Sequence, residues 1–276
     1  MNKIESLGVL MSVFYKEKPE YINHSLKSLY NQSYRADEIL LVKEGDLTNK
    51  HIEVLNYWES KFGHGVIKII DAGEAKGLAA CLNVGLKASN CEYIARFDSD
   101  DECLPNRFEK QMSYFANNPD VVLLGGQIEE FDDDMEVSMG IRNVPTTYNK
   151  ILSYSKWRSP FNHQTVIYKR DVAIKLGCYP VVPVNEDYTF WAKFLANKFK
   201  VANLPDILVK ARTGKGLINR RSGIKYLKGE FIMIESLYES KLLNFYEYIW
   251  QYVSRTTLRL MPKKLLAIIY SQIRKK

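Results

Sequence analysis

The stretch Phe97-Asp98-Ser99-Asp100-Asp101-Glu102 places three aspartates within four positions at the end of a short apolar-rich run, Glu92-Tyr93-Ile94-Ala95-Arg96-Phe97. Carboxylates that close raise one another's pKa unless a positive charge is bound among them. Hard oxygen donors of this kind suit Mg²⁺ or Mn²⁺, which take one or two protein carboxylates and complete their shell with phosphate oxygens and water. A divalent ion joined to a diphosphate is therefore the chemistry the cluster offers. The same aspartates could instead end a strand, with Asp101 capping a helix over residues 105–117. An EF-hand calcium loop is excluded, because its sixth position would be Cys103 rather than Gly and Pro105 interrupts it.

The elements around the cluster predict where it sits. Residues 7–14 read as a buried strand and 19–31 as a helix with Tyr21, Ile22, Leu26, Leu29 and Tyr30 on one side. Strand 38–42, helix 48–62, strand 66–70 and segment 77–88 follow, leading into the strand before the cluster. This alternation predicts an α/β fold with three layers and a mostly parallel central sheet, followed by C-terminal helices. In such sheets ligands bind beyond the carboxyl ends of the strands. The loops there carry Tyr15 and Glu17, then Lys43, Glu44 and Asp46, then Asp71, then the Asp98–Asp101 cluster, and all should meet in one crevice. Farther on, short strands are expected at 121–124, 128–131 and 137–141, with Asp132-Asp133-Asp134 as a solvated hairpin tip.

Composition narrows the class. The chain has 276 residues, 46% of them hydrophobic, enough for one large core. It shows no secretory leader and no apolar run long enough to span a bilayer, and Cys81, Cys91, Cys103 and Cys178 lack zinc-ligand spacing, so a cytoplasmic protein with reduced thiols is expected. The net charge is +7, and its placement is uneven. From residue 219 onward twelve Lys or Arg face four Glu, a surplus of eight that exceeds the whole chain's. No nucleic-acid recognition motif accompanies it.

Five segments in order carry a resemblance: Val13-Phe14-Tyr15, Leu41-Val42-Lys43-Glu44-Gly45, Gly77-Leu78-Ala79-Ala80-Cys81-Leu82-Asn83, Phe97-Asp98-Ser99-Asp100-Asp101 and Asn185-Glu186-Asp187-Tyr188. Over about residues 5–215 the chain resembles the inverting nucleotide-sugar glycosyltransferases of family two, of the bacterial polysaccharide and O-antigen type. The resemblance implies a nucleotide-diphospho-sugar transferase fold, a metal site and one carboxylate base. It places Tyr15 against the nucleobase, Glu44 in hydrogen bond to it, Asp98 at the ribose and Asp100 on a Mn²⁺ or Mg²⁺ ion. Glu17 joins the nucleotide side, and Lys76 or Lys43 could add charge to the nucleotide or simply be solvated. One departure is Lys43-Glu44, where the family commonly has two acidic residues, which leaves base identity to Glu44. Asp187 becomes the base that takes the acceptor hydroxyl proton, or else an N-terminal helix cap. Glu186 would orient the acceptor or the sugar. Trp191 could stack on a sugar or fill core, and His163 could touch the acceptor or the diphosphate or be structural. Arg212, with Arg220 and Arg221, could pair with phosphate.

These readings divide the chain into a catalytic unit, 1–218, and a basic helical region, 219–276. In the latter Leu258, Met261, Leu265, Ile268, Ile269 and Ile273 share a face while Arg255, Arg259, Lys263 and Arg274 gather opposite, as in a helix, kinked or restarted at Pro262, that lies on an anionic membrane or else packs on the domain with a solvated face. The expected activity is transfer of a hexose, galactose in β-linkage first, from a UDP-sugar to a polyprenyl-diphosphate-linked saccharide in O-antigen or other surface polysaccharide assembly. The enzyme would sit peripherally on the cytoplasmic face of a bacterial inner membrane, with no nucleic-acid partner. The alternatives are a nucleotidyltransferase, which should carry a Gly-rich basic loop where this chain has Phe14-Tyr15-Lys16-Glu17-Lys18, and a non-catalytic sugar-nucleotide or membrane-binding module.

Overall fold

The computed structural model describes residues 5–74, 76–213 and 224–261. One sheet runs through them. Its strands are β1 (Leu7–Phe14), β2 (Glu38–Glu44), β3 (Ile67–Asp71), β4 (Tyr93–Arg96), β5 (Glu102–Cys103), β6 (Val121–Phe131), β7 (Ser138–Arg142), β8 (Ile167–Lys169) and β9 (Lys200–Arg212). Their order is β3-β2-β1-β4-β8-β6-β9-β5, with β7 paired to β6. β1 to β4 are mutually parallel, β6 and β9 run with them, and β5, β7 and β8 run the other way. The helices are α1 (Pro19–Tyr30), α2 (Asn49–Phe62), α3 (Leu78–Ala88), α4 (Arg107–Asn117), α5 (Tyr148–Tyr154), α6 (Arg170–Lys175), α7 (Glu186–Ala196), α8 (Ile224–Glu239) and α9 (Phe245–Leu260).

Two apolar layers follow from side-chain alternation along the strands. Leu7, Val9, Met11 and Val13 of β1 point to one face, where α1, α2 and α4 supply Leu26, Trp58, Phe108 and Phe115. Leu10, Leu40 and Val42 point to the other, where α3, α7 and α8 supply Leu82, Phe190, Trp191, Phe194, Met233 and Leu237. The expected three-layer architecture is thus the observed one. α8 shares its core with the sheet, so the basic C-terminal region begins as part of the same packed body.

Several local expectations change. The stretches 121–124 and 128–131 form one strand, β6, not two. The pair Gly125-Gly126 looks like a break, but it lies mid-strand because neighbours press on it. A Cβ at Gly125 would sit 2.3 Å from Asn203 Oδ1, and one at Gly126 would sit 2.4 Å from Leu208 Cδ1. Asp101 does not cap α4, whose flanking residue is Asn106. The helix expected to run on past Arg255 ends at Leu260, and residues 262–276, together with Arg220 and Arg221, lie outside the described residues.

Candidate active site

Parallel register brings the predicted loops to one edge. Phe14 of β1 lies opposite Glu44 of β2, and Leu10 opposite Arg96 of β4, so Tyr15, Glu44 and the acidic loop all leave the sheet at the same end. The Tyr15 ring lies over Gly45, which has φ +85° and whose Cβ would meet Tyr15 Cδ1 at 2.9 Å. Only glycine combines that backbone with that approach. Glu44 Oε1 accepts from Gly77 N at 3.0 Å, tying β2 to the start of α3. Lys76 is exposed beside Gly77, whereas Lys43 pairs with Asp71.

The acidic loop is held from both sides. Ser99 Oγ donates to Glu17 Oε2 at 2.6 Å. Arg212, at the end of β9, donates its backbone N–H to Asp101 Oδ1 at 2.8 Å and its Nε to the Asp100 carbonyl at 3.0 Å, while its guanidinium lies 3.8 Å from the centre of the Tyr21 ring. Arg212 Nη1 also donates to the Asp133 carbonyl, so the acidic hairpin tip is braced against the site rather than wholly solvated. From the sequence Arg96 reads only as a strand residue. It is buried, and it pairs through Nη2 with Asp98 Oδ1. A charged residue within an apolar strand, two positions before the cluster, was the signal for it.

The second half of the site arrives through β8. Because β8 is antiparallel to β4, it begins where β4 ends, and the 3₁₀ turn His163–Thr165 before it is delivered to the acidic loop. Asn162 fixes that turn, donating through Nδ2 to the Gly126 carbonyl at 2.9 Å and the Arg142 carbonyl at 3.1 Å. His163 Nε2 then lies 2.9 Å from Asp98 Oδ2, and His163 Nδ1 lies 3.4 Å from Asp187 Oδ2. Asp187 and Glu186 occupy the first turn of α7, where the helix dipole favours negative charge. Asn185 precedes them in the left-handed region, with φ +58°, and turns the chain into the helix.

Charge in the site is divided. Burial would raise Asp98, but Arg96 and His163 hold its carboxyl well below the usual carboxylate range. Burial and the Asp98 charge push Asp100 up to about 6, and burial with Asp100 and Asp98 raises Asp101 well above its ordinary value. Burial lifts Glu17 to about 7, against the Ser99 hydrogen bond and with help from Asp100 and Asp98. Burial alone would lower His163, yet Asp98 and Asp187 raise it to about 10. Asp187, despite burial, is held low by its hydrogen bond with His163, and Glu186 is raised by burial and by Asp187.

Oxygens of Asp98, Asp100 and Asp101 lie within 4.8 Å of one another, and Asp101 Oδ2 is buried without a hydrogen-bond partner. An all-oxygen set with excess negative charge fits a hard divalent ion. Trp191 is a correction to the substrate-binding set: it is wholly buried among Phe161, Tyr168, Tyr179, Phe190 and Phe194, and offers a sugar no surface.

A three-layer sheet with an Asp-x-Asp loop at its carboxyl edge and a carboxylate facing it defines the nucleotide-diphospho-sugar transferase class. The family model described as glycosyl transferase family 2 matches residues 10–177, and the chain belongs to that family. It is a glycosyltransferase. It is 36% identical over 97% of its length to the amylovoran biosynthesis glycosyltransferase AmsE of Erwinia amylovora, of which it covers 99%. It is 32% identical over 96% of its length to an Escherichia coli protein, of which it covers 95%, named UDP-Gal:alpha-D-GlcNAc-diphosphoundecaprenol beta-1,3-galactosyltransferase. Among solved structures, a mannosyltransferase from Pyrobaculum calidifontis in complex with GDP-Man and Mn²⁺ shares the fold. The TM-score is 0.65 at 17% identity, covering 100% of this chain and 82% of that one.

Proposed function

We propose that the protein is an inverting hexosyltransferase that moves a hexose from a UDP-sugar to a polyprenyl-diphosphate-linked saccharide during surface polysaccharide assembly. The observation that carries the reading is the meeting of Asp98 and Asp187 on opposite nitrogens of His163. It sets a nucleotide side and an acceptor side against each other across one side chain. Tyr15 and Glu44 face the base, Asp98 the ribose, and Glu17, Lys76 and Arg212 border the diphosphate. Asp100, with Asp98 and Asp101 beside it, would hold Mn²⁺ or Mg²⁺, and such an ion would neutralise charge on the departing diphosphate.

On the acceptor side Asp187 takes the hydroxyl proton as that oxygen bonds to the anomeric carbon. The bond from that carbon to the diphosphate oxygen breaks, its electron pair leaving with the UDP. A single displacement inverts the centre, and no protein nucleophile is needed. Glu186, one position away and partly exposed, orients the acceptor or the sugar. Galactose in β-linkage is the first donor sugar to test, because the E. coli relative is named for that transfer. A lipid-linked acceptor would place the enzyme peripherally at the cytoplasmic face of a bacterial inner membrane. Among the described residues no helix is long and apolar enough to cross a membrane.

The test is Asp187→Asn, assayed at saturating UDP-hexose and GlcNAc-diphospho-lipid analogue, with product read by mass and linkage. Loss of the base should lower kcat by about 10²–10⁴-fold. Wild-type turnover would sink the assignment.

A further inference from the structure

A surface helix ordinarily buries its apolar stripe and exposes its charges. α9 packs Tyr248 and Tyr252 inward but leaves a second apolar stripe outside. Phe245, Tyr246, Ile249, Trp250 and Val253 are each 44% to 83% exposed and at 3.6 residues per turn form one outward stripe, with exposed Leu260 on the same side beyond Thr256 and Thr257. The polar residues face inward. Glu230 of α8 is fully buried, and it pairs with Arg255 Nη1 at 2.5 Å and Arg259 Nε at 2.7 Å. Gln251 is buried and donates to the Lys156 carbonyl, and Glu247 pairs with Lys156 at 2.6 Å. Arg255 and Arg259, expected from the sequence to face a membrane, are therefore occupied inside the protein.

We infer that the outward stripe of α9 is the surface on which this protein lies against an anionic lipid bilayer. Contiguous exposed apolar surface of this kind marks an interaction site. Tyr and Trp have amphipathic rings that settle at the headgroup level of a bilayer, and they stand here beside Phe and Ile. Charge selects the occupant. Apart from Arg255 and Arg259, which Glu230 holds inside, the region from residue 219 carries ten basic residues against Glu235, Glu239 and Glu247, and positions 262–276, which follow α9 in the chain, carry five basic and none acidic. A second copy would bring that surplus against itself, whereas acidic lipid headgroups neutralise it. The stripe is one helix pair away from the chemistry: α9 packs on α8, α8 shares a core with Phe190 and Trp191, and these lie on the helix that begins with Glu186 and Asp187. The inference deepens the lipid-linked acceptor reading and rests on it for its purpose, although the surface can be tested without any sugar transfer.

The test uses the full chain with vesicles of phosphatidylcholine, with and without phosphatidylglycerol, read by flotation. Binding is expected only where phosphatidylglycerol is present. The double variant Ile249→Ser with Trp250→Ser should weaken it about tenfold or more, since two exposed apolar side chains are lost, with the thermal midpoint unchanged. Equal flotation of wild type and double variant overturns the surface. Transfer to a water-soluble acceptor is measured in parallel. Vesicle binding without transfer supports the surface and removes the transfer reading; transfer without vesicle binding removes the surface alone. Light scattering that shows dimers broken by the double variant, with no vesicle binding, overturns the proposal in favour of self-association. A Val253→Cys variant should react fast with a polar maleimide and be slowed by phosphatidylglycerol vesicles. No reaction in the vesicle-free monomer would mean that residues of the chain itself cover the stripe, which also overturns it.

Discussion

Asp98 and Asp187 are about ninety residues apart in the chain and share one imidazole. A residue so placed does more than neutralise charge, because its two ring nitrogens fix the angle between the nucleotide loop and the base. His163 is here a positioning residue. His163→Ala leaves Asp98 its Arg96 partner but takes away the side-chain bond that orients Asp187. We expect kcat to fall by about 10–100-fold, the range seen when an orienting partner is lost from a polar site. Donor KM should change less than kcat, because Asp98 loses its His163 bond but keeps Arg96. Steady-state kinetics check this, and an unchanged kcat would remove His163 from the mechanism. Asp100, Asp187 and Glu186 were legible from residue type and order. Arg96 and the bridging role of His163 were not, because a lone Arg in a strand and a lone His before one gain meaning only from what lies opposite.

At the scale of elements, packing overrode local punctuation. A Gly-Gly pair ordinarily marks a turn, yet in β6 it admits Asn203 and Leu208 closer to where Cβ atoms would be than van der Waals contact allows. α9 is a second instance. Its sequence period was readable, but which stripe faced inward was not, because Glu230 on another helix decides it. Glu230→Ala would remove the buried carboxylate shared by Arg255 and Arg259, whose side chains are 15% and 5% exposed. Breaking one side of a buried ion pair costs about 3–5 kcal/mol. Urea denaturation should show a loss of that order. A loss below about 1 kcal/mol would match a surface pair instead and contradict the buried arrangement.

For the whole molecule, two carboxylates far apart in the chain, Glu38 and Glu247, contribute to its acid limb. Glu38 lies at the start of β2, where burial would raise its pKa but hydrogen bonds from Lys68 and Ser89 hold it below the ordinary value. Glu247 of α9 is likewise kept low, against burial, by Lys156 and by the Asn244 N–H that it accepts in the helix cap. A carboxyl whose folded pKa is depressed adds stability that is present above its unfolded pKa and disappears as pH falls through the folded one. Urea midpoints should therefore drop progressively below about pH 4.5. Glu38→Gln should flatten that drop, and a midpoint independent of pH in this window would refute the linkage. The sequence by itself determined the layered α/β fold, the strand edge on which the site stands and most of the residues at it, because side-chain period and the carboxyl-edge rule are local or topological constraints. Only the tertiary structure decided that β8 carries His163 between two distant aspartates, that Trp191 is core, and that α9 leaves an apolar stripe outside. Each of these depends on a partner remote in the chain, and burial and pairing are properties of the contact rather than of either residue.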